Sequence, residues 1–139
     1  MKRVVIELPN VVPPTATAQQ KGVFVRNGRA HFFTKKNVRE AENLMAGMLA
    51  PYRPEKPLDG PLSLTVVLKF PFRKSEKKAV VAFGSAPHDT RPDLDNLLKG
   101  LIDCMTHLGF WRDDAQIFHI STQKLRAVVP GLYITITEA

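Results

Sequence analysis

Asp93 and Asp95 stand two apart in RPDLDNLLKG (91–100), and a second acidic pair, Asp113 and Asp114, follows in WRDDAQI (111–117). Hard divalent cations such as Mg²⁺ and Mn²⁺ take oxygen ligands, so two nearby carboxylates and a third from elsewhere can hold one or two ions. Asp114 offers that third carboxylate on a segment that enters a strand. Lys99 lies one turn further along the first segment, where its ammonium can stabilise a phosphorane-like transition state or a leaving oxygen. These parts suit hydrolysis of a phosphodiester. A plainer reading stands beside it. Carboxylates at a helix start receive free backbone N–H groups and favour the positive end of the helix dipole, and Asp95 with Lys99 makes an ordinary i,i+4 pair.

The element that must position the first pair is a helix over about 93–108. At 100° per residue, Leu94, Leu97, Leu98, Leu101, Ile102, Cys104, Met105 and Leu108 fill one arc of about 160°. Asp93, Asp95, Asn96, Lys99, Asp103 and His107 take the other side, and Gly109 closes the helix. Cys104 therefore belongs to the core, and a Cys104–His107 pair lacks the two further thiols or imidazoles of a zinc site.

Around this helix the sequence predicts a first strand at 2–8, a proline-rich loop at 9–22 and a hairpin at 22–33 that turns at Asn27-Gly28. Thr34 is placed to cap a second helix at 35–50, ended by Pro51 and Pro54. Residues 61–70 form the clearest strand. Residues 73–90 read as a mobile basic loop with a short hairpin around AVVAF. Strands at 115–125 and 132–138 flank a turn at Pro130-Gly131. The fold class is α+β: one domain spanning 1–139, with a small mixed, mostly antiparallel sheet and two principal helices.

Lys and Arg total 20 against 13 Asp and Glu, a net charge of +7. The surplus is uneven: residues 1–90 carry 15 basic and 7 acidic groups, residues 91–139 carry 5 and 6. A basic surface around one acidic cluster suits a polyanion held by its backbone. No apolar run approaches the ~20 residues needed to span a bilayer. The single cysteine suits a reducing compartment, so the cytoplasm is the expected location.

RPDLDNLLKGLIDCMTHLGFWRDDAQI resembles the signature of RusA-type Holliday-junction resolvases, common in bacterial prophages. The shared pattern is Asp-x-Asp-Asn-Leu with a Lys shortly after, a helix, then Gly-Phe-Trp-x-Asp-Asp-Ala-Gln. The resemblance implies an Mg²⁺- or Mn²⁺-dependent endodeoxyribonuclease acting on four-way DNA junctions as a homodimer. It places the catalytic, metal-holding aspartates on Asp93, Asp95 and Asp114 and the essential lysine on Lys99. Asp113 ranks below its neighbour. Two stretches depart from the pattern: PPTATAQQKG lacks aromatic and arginine-rich content, and RKSEKKAVVAFGSAPHDT is long.

DNA contacts are expected from Arg26 and Arg29 on the hairpin, from Lys35, Lys36 and Arg39 at the first helix, and from Arg73, Lys74, Lys77 and Lys78 in the basic segment. Phe32, Phe33 and Trp111 are candidates for stacking on opened bases, although burial is the stronger expectation, with Trp111 against Leu108 or a partner chain. His88, beside Asp89, could assist near the site, though the ordinary reading of a loop histidine is that it is simply exposed.

A length argument bears on the dimer independently. From Asp95 to Leu108 a helix advances about 20 Å, and six extended steps from Leu108 to Asp114 recover at most about 20 Å. The turn consumes part of that reach. Asp114 is therefore expected to complete the site of a second, two-fold related chain. The alternatives are a nuclease for other branched DNA, and a non-catalytic nucleic-acid-binding protein whose carboxylates only start a helix.

Overall fold

The leucine stripe of the 93–108 segment buries as its spacing predicts. Leu97, Leu101 and Met105 are fully covered, and Leu94, Leu98, Ile102, Cys104 and Leu108 pack partly against the same core. Each fully buried side chain contributes about 1.5–3 kcal/mol. The computed structural model describes residues 2–15 and 21–139, with the side chains of residues 21, 22 and 32–34 outside the description. Of the predicted proline-rich loop, residues 16–20 lie outside the described residues, and residues 11–15 have no regular structure.

In chain order the elements are β1 (Arg3–Pro9), β2 (Lys21–Arg26), β3 (Arg29–Thr34), α1 (Lys36–Leu49), β4 (Leu62–Pro71), α2 (Lys78–Phe83), β5 (Ser85–Pro87), α3 (Leu94–Leu108), β6 (Ile117–Ala127) and β7 (Gly131–Glu138). Among the described residues the strands form a five-stranded sheet, ordered β1-β7-β4-β6-β5, and a separate β2-β3 hairpin. Every pair is antiparallel except β4 with β6. That parallel pair has a simple cause: α3 carries the chain back along the sheet, so β6 must start at the same end as β4.

β4 alternates strictly, burying Leu62, Leu64, Val66, Leu68 and Phe70. Ile134 and Ile136 of β7 and Ile6 of β1 extend this apolar face, on which Met45 and Leu49 of α1 and the α3 stripe close. Phe110 and Trp111, just past α3, are buried too, and the Trp111 indole Nε1 donates to Thr106 Oγ1 at 2.7 Å. Trp111 is thus a core residue and not a stacking platform. The side chains of Phe32 and Phe33 lie outside the described residues.

Local chemistry accounts for the turns. Asn27 and Gly28 adopt φ of 53° and 73°, the left-handed pair that a two-residue hairpin needs. Gly109 ends α3 at φ 84°, and its N–H reaches back to the carbonyls of Met105 and Thr106.

Three expectations are corrected. Thr34 is not the cap of α1: it ends β3 opposite Lys21, and Lys35 takes the N-cap position without a side-chain bond. AVVAF is not a hairpin but most of the short helix α2, stopped by Gly84 at φ 101° and followed by β5. The strand expected from residue 115 begins at Ile117, because Asp114–Gln116 forms a 3-10 turn.

Candidate active site

Asp93 is the N-cap residue of α3, and its carboxylate makes no capping hydrogen bond. The plainer reading assigned this group to capping; its oxygens instead remain uncommitted where the helix dipole is positive. Asp95, one turn-position on, is exposed, and its Oδ1 accepts from the Asn96 amide at 2.9 Å. Lys99 is not paired with Asp95. Its Nζ lies 3.4 Å from Asp103 Oδ2, with side chains 62% and 47% exposed. A pair so open contributes a few tenths of a kcal/mol at most, so Lys99 is readily released to a phosphate.

The turn before Asp93 is tied to β6. Lys124 Nζ donates to the carbonyls of Thr90 (2.5 Å) and Pro92 (2.6 Å). The main-chain carbonyl of Lys124 accepts from the His88 amide at 3.0 Å. Arg126 adds a 3.3 Å bond from Nη2 to Thr90 Oγ1 and a 3.0 Å bond from Nη1 to the Pro71 carbonyl. Neither Lys124 nor Arg126 sits in a motif. The ties span more than 30 residues of sequence, and no local pattern announces them.

His88 is only 7% exposed, against the expectation for a loop histidine. Its ring meets Phe70 edge-on at 5.3 Å, and its Nδ1 accepts from the Thr90 amide at 3.4 Å. Burial lowers its pKa from the usual 6.5, and the charges of Arg126, Lys124 and Arg73 lower it further against the opposing pull of Asp89. The folded state therefore binds fewer protons at His88 than the unfolded chain just below that value. Its contribution to stability is present above pH 6.5 and is lost as pH falls through the lower folded value. Wild-type protein should lose more thermal stability between pH 7.5 and 5.5 than a His88→Phe variant does. Equal losses by scanning calorimetry would remove His88 as the cause.

The second acidic pair divides its labour. Asp113 caps the 3-10 turn: its Oδ1 accepts from the Ala115 amide at 2.9 Å, and Gln116 Oε1 accepts in return from the amides of Arg112 and Asp113. Gln116 Nε2 also donates to the carbonyls of Leu58 and Gly60, fixing the turn to the body. Asp114 is exposed and takes no part in the cap.

Asp93 and Asp95 both stand at the start of α3, with Lys99 further along the same helix, and Asp114 lies beyond its far end. α3 spans 15 residues, a rise of about 22 Å, and the return strand from Ile117 to Lys124 covers about 23 Å. Asp114 sits at the bend of this α3–β6 hairpin, near Leu58 and Gly60. Asp93 sits at its open end, beside Lys124. Among the described residues, no three His, Cys, Asp or Glu side chains of the single chain converge as a metal-holding group. In kind, the exposed carboxylates fit a hard dication. In number, Asp93 and Asp95 offer two of the three carboxylates that the sequence pattern groups with a metal.

The expected DNA-contacting residues are exposed throughout. Arg26 and Arg29 face each other across the hairpin turn. Lys35, Lys36 and Arg39 line the start of α1, with Lys36 near Glu40 at 3.9 Å. Arg73, Lys74, Lys77 and Lys78 follow β4, at the sheet end that also carries the Asp93 turn, and Arg73 pairs with Glu76 at 3.2 Å. Glu76 also lies 3.9 Å from Arg126, which ties this basic segment to the candidate site.

Cys104 is half-buried in the cleft between α1 and α3. Burial, and then the nearby Glu42 carboxylate, push its thiol pKa up. That favours the inert thiol expected of a core cysteine.

A basic α+β domain with two exposed carboxylates at a helix start, one of them uncommitted, has the parts of an endodeoxyribonuclease. The chain belongs to the endodeoxyribonuclease RusA family, whose profile matches residues 12–137. It is 29% identical over 130 residues to the uncharacterized protein YqaN of Bacillus subtilis, covering 90% of each chain. It is also 29% identical over 122 residues to the crossover junction endodeoxyribonuclease rusA of Lactococcus phage r1t, covering 88% of each. Crossover junction endodeoxyribonuclease RusA of Escherichia coli is 45% identical over 53 residues, which are 37% of this chain and 44% of that protein. The resemblance carried by residues 91–117 thus extends over most of the chain.

Proposed function

We propose that this protein is a metal-dependent, structure-specific endodeoxyribonuclease that resolves four-way DNA junctions as a two-fold homodimer. One observation carries the reading: Asp93 projects from the start of α3 without a cap to make, two residues before Asp95, while the Asp114 carboxylate stands free beyond the far end of the same helix. Asp93 and Asp95 of one chain, with Asp114 of the partner subunit, would hold Mg²⁺ or Mn²⁺. The bound ion would supply charge to neutralise the scissile phosphate and would acidify the attacking water. Lys99 orients the phosphate and stabilises charge on the oxygens in the transition state.

The open edge of β6 supports the dimer. β5 covers only Leu125–Ala127, and among the described residues no strand pairs with the outer edge from Ile117 to Lys124. Phe118 and Ile120 are exposed there. Antiparallel pairing of this edge with a second copy would set the acidic start of one β6 against the basic end of the other, where Lys124 and Arg126 lie. It would also carry Asp114 of the partner subunit across the ~23 Å that separates the half-sites in one chain.

Relatives from bacteria and a phage, and the absence of any helix among the described residues long and apolar enough to cross a membrane, suit work on cytoplasmic DNA in recombination and repair. A panel of four-way junction, fork, flap and plain duplex at matched salt tests the reading. Symmetric cutting of the junction with Mg²⁺, abolished by EDTA and restored by added Mg²⁺ or Mn²⁺, is expected. Preferred cutting of flaps or forks would keep the chemistry and change the substrate. Binding without cutting in any metal would leave a nucleic-acid-binding protein.

A further inference from the structure

Lys124, like Arg126, is set apart from the exposed basic side chains by where its donors go. Lys74, Lys77 and Lys78 are exposed, whereas Lys124 is half-buried and turns its ammonium inward onto two main-chain carbonyls, those of Thr90 and Pro92. These carbonyls flank Arg91 and lead directly into Asp93. The Lys124 carbonyl holds the His88 amide, so one residue grips the segment at its entry and at its exit. Lys124 itself lies opposite Leu68 within the paired part of β6, a rigid support. Thr90, at the middle of the turn, gains a second side-chain tie from Arg126.

We infer that Lys124 is a positioning residue for the metal ligands. The inference rests on the reading of Asp93 and Asp95 as those ligands. A helix start fixes Asp95 through the helix itself, but Asp93, with extended backbone at φ −68° and ψ 134°, is aimed by the turn before it. Lys124 anchors that turn to the sheet. Two of its three donors are spent on these carbonyls and the side chain is half-buried, which leaves at most one N–H for a phosphate. Displacing a reacting constellation by about 1 Å costs on the order of 10²-fold in rate, and loss of a partner that orients ligands typically costs about 10–100-fold in metal affinity.

The test uses the full chain with Lys124→Met, Lys124→Gln and Lys124→Arg. Mn²⁺ binding is followed without DNA by electron paramagnetic resonance, and junction affinity in EDTA by fluorescence anisotropy. Cleavage is measured across a Mg²⁺ series, with folding checked by circular dichroism. Lys124→Met should raise the Mn²⁺ midpoint and the half-maximal Mg²⁺ concentration about tenfold or more and leave junction affinity within about twofold of wild type. Lys124→Arg should restore most of the metal affinity, and Lys124→Gln should fall between them. If Lys124→Met fails to fold, Lys124→Gln decides by the same readings. A wild-type metal midpoint in the folded variant overturns the role. Weakened junction binding with an unchanged metal midpoint also overturns it and makes Lys124 a phosphate contact. Wild-type protein that neither binds Mn²⁺ nor cuts overturns the ligand reading and Lys124 with it. Wild type that does both beside an unaffected Lys124→Met overturns the role of Lys124 alone.

Discussion

Asp93→Asn is expected to lower junction cleavage by about a thousandfold or more while junction binding holds or tightens. The substitution keeps side-chain volume and removes one negative charge from a surface that must approach a phosphate. Since the Asp93 carboxylate makes no capping bond, the change breaks no tie within the fold. Thermal stability should therefore stay close to wild type, which separates this outcome from a folding defect. Asn is itself an acceptable N-cap residue. Cleavage rate, anisotropy binding in EDTA and a melting curve on one preparation decide the matter. Wild-type cleavage by Asp93→Asn would remove it from the catalytic residues, and equal loss of binding and cleavage would make it a DNA contact.

The second large effect concerns where Asp114 acts. Asp93→Asn and Asp114→Asn homodimers should each be inactive, yet mixing them should restore cutting. In a heterodimer one site receives both substitutions and the other receives none. With equal mixing and free exchange about half the dimers are mixed, so about a quarter of the wild-type number of sites returns. These dimers have one working site, so single nicks should outnumber paired cuts. Recovery of nothing, after exchange is shown by mass spectrometry of differently tagged chains, would falsify completion in trans. The ~22 Å rise of α3 argues for recovery, because no path in the described chain returns Asp114 to Asp93.

Much of this architecture was legible wherever one short segment dictates its own geometry. Asn27-Gly28 forced a hairpin, the leucine spacing of 94–108 forced a buried helical face, and Gly109 marked its end. The separation of Asp114 from Asp93 was also readable, because it depends only on counts and rises. What escaped depends on the assembled sheet. Thr34 looked like a cap, but pairing with Lys21 held it in β3 and passed the position to Lys35. AVVAF suggests a hairpin, but so short an apolar run fits strand and helix alike, and the turn imposed by Gly84 sides with helix. Asp95 and Lys99 matched the favoured order for an i,i+4 pair, yet Lys99 lies with Asp103, one turn further on. His88, Lys124 and Arg126 could not be grouped from sequence, since their cluster exists only once β4, β5 and β6 lie side by side.

The separation of the acidic pairs along α3 has a phase as well as a length. One extra residue between Asp95 and Leu108 would move the start of α3 by only about 1.5 Å but turn it by about 100°. The leucines would swing off the sheet, and Asp93 would face away from the turn that aims it. Extra residues between β4 and β5 carry no such penalty, because a longer loop costs only a few tenths of a kcal/mol in closure. The chain can thus gain or lose length in its exposed basic segment while the residue count between its two acidic pairs stays fixed. Within the basic segment, residues 77–83 can change length while the turn at 88–92, held by Lys124 and Arg126, keeps its geometry.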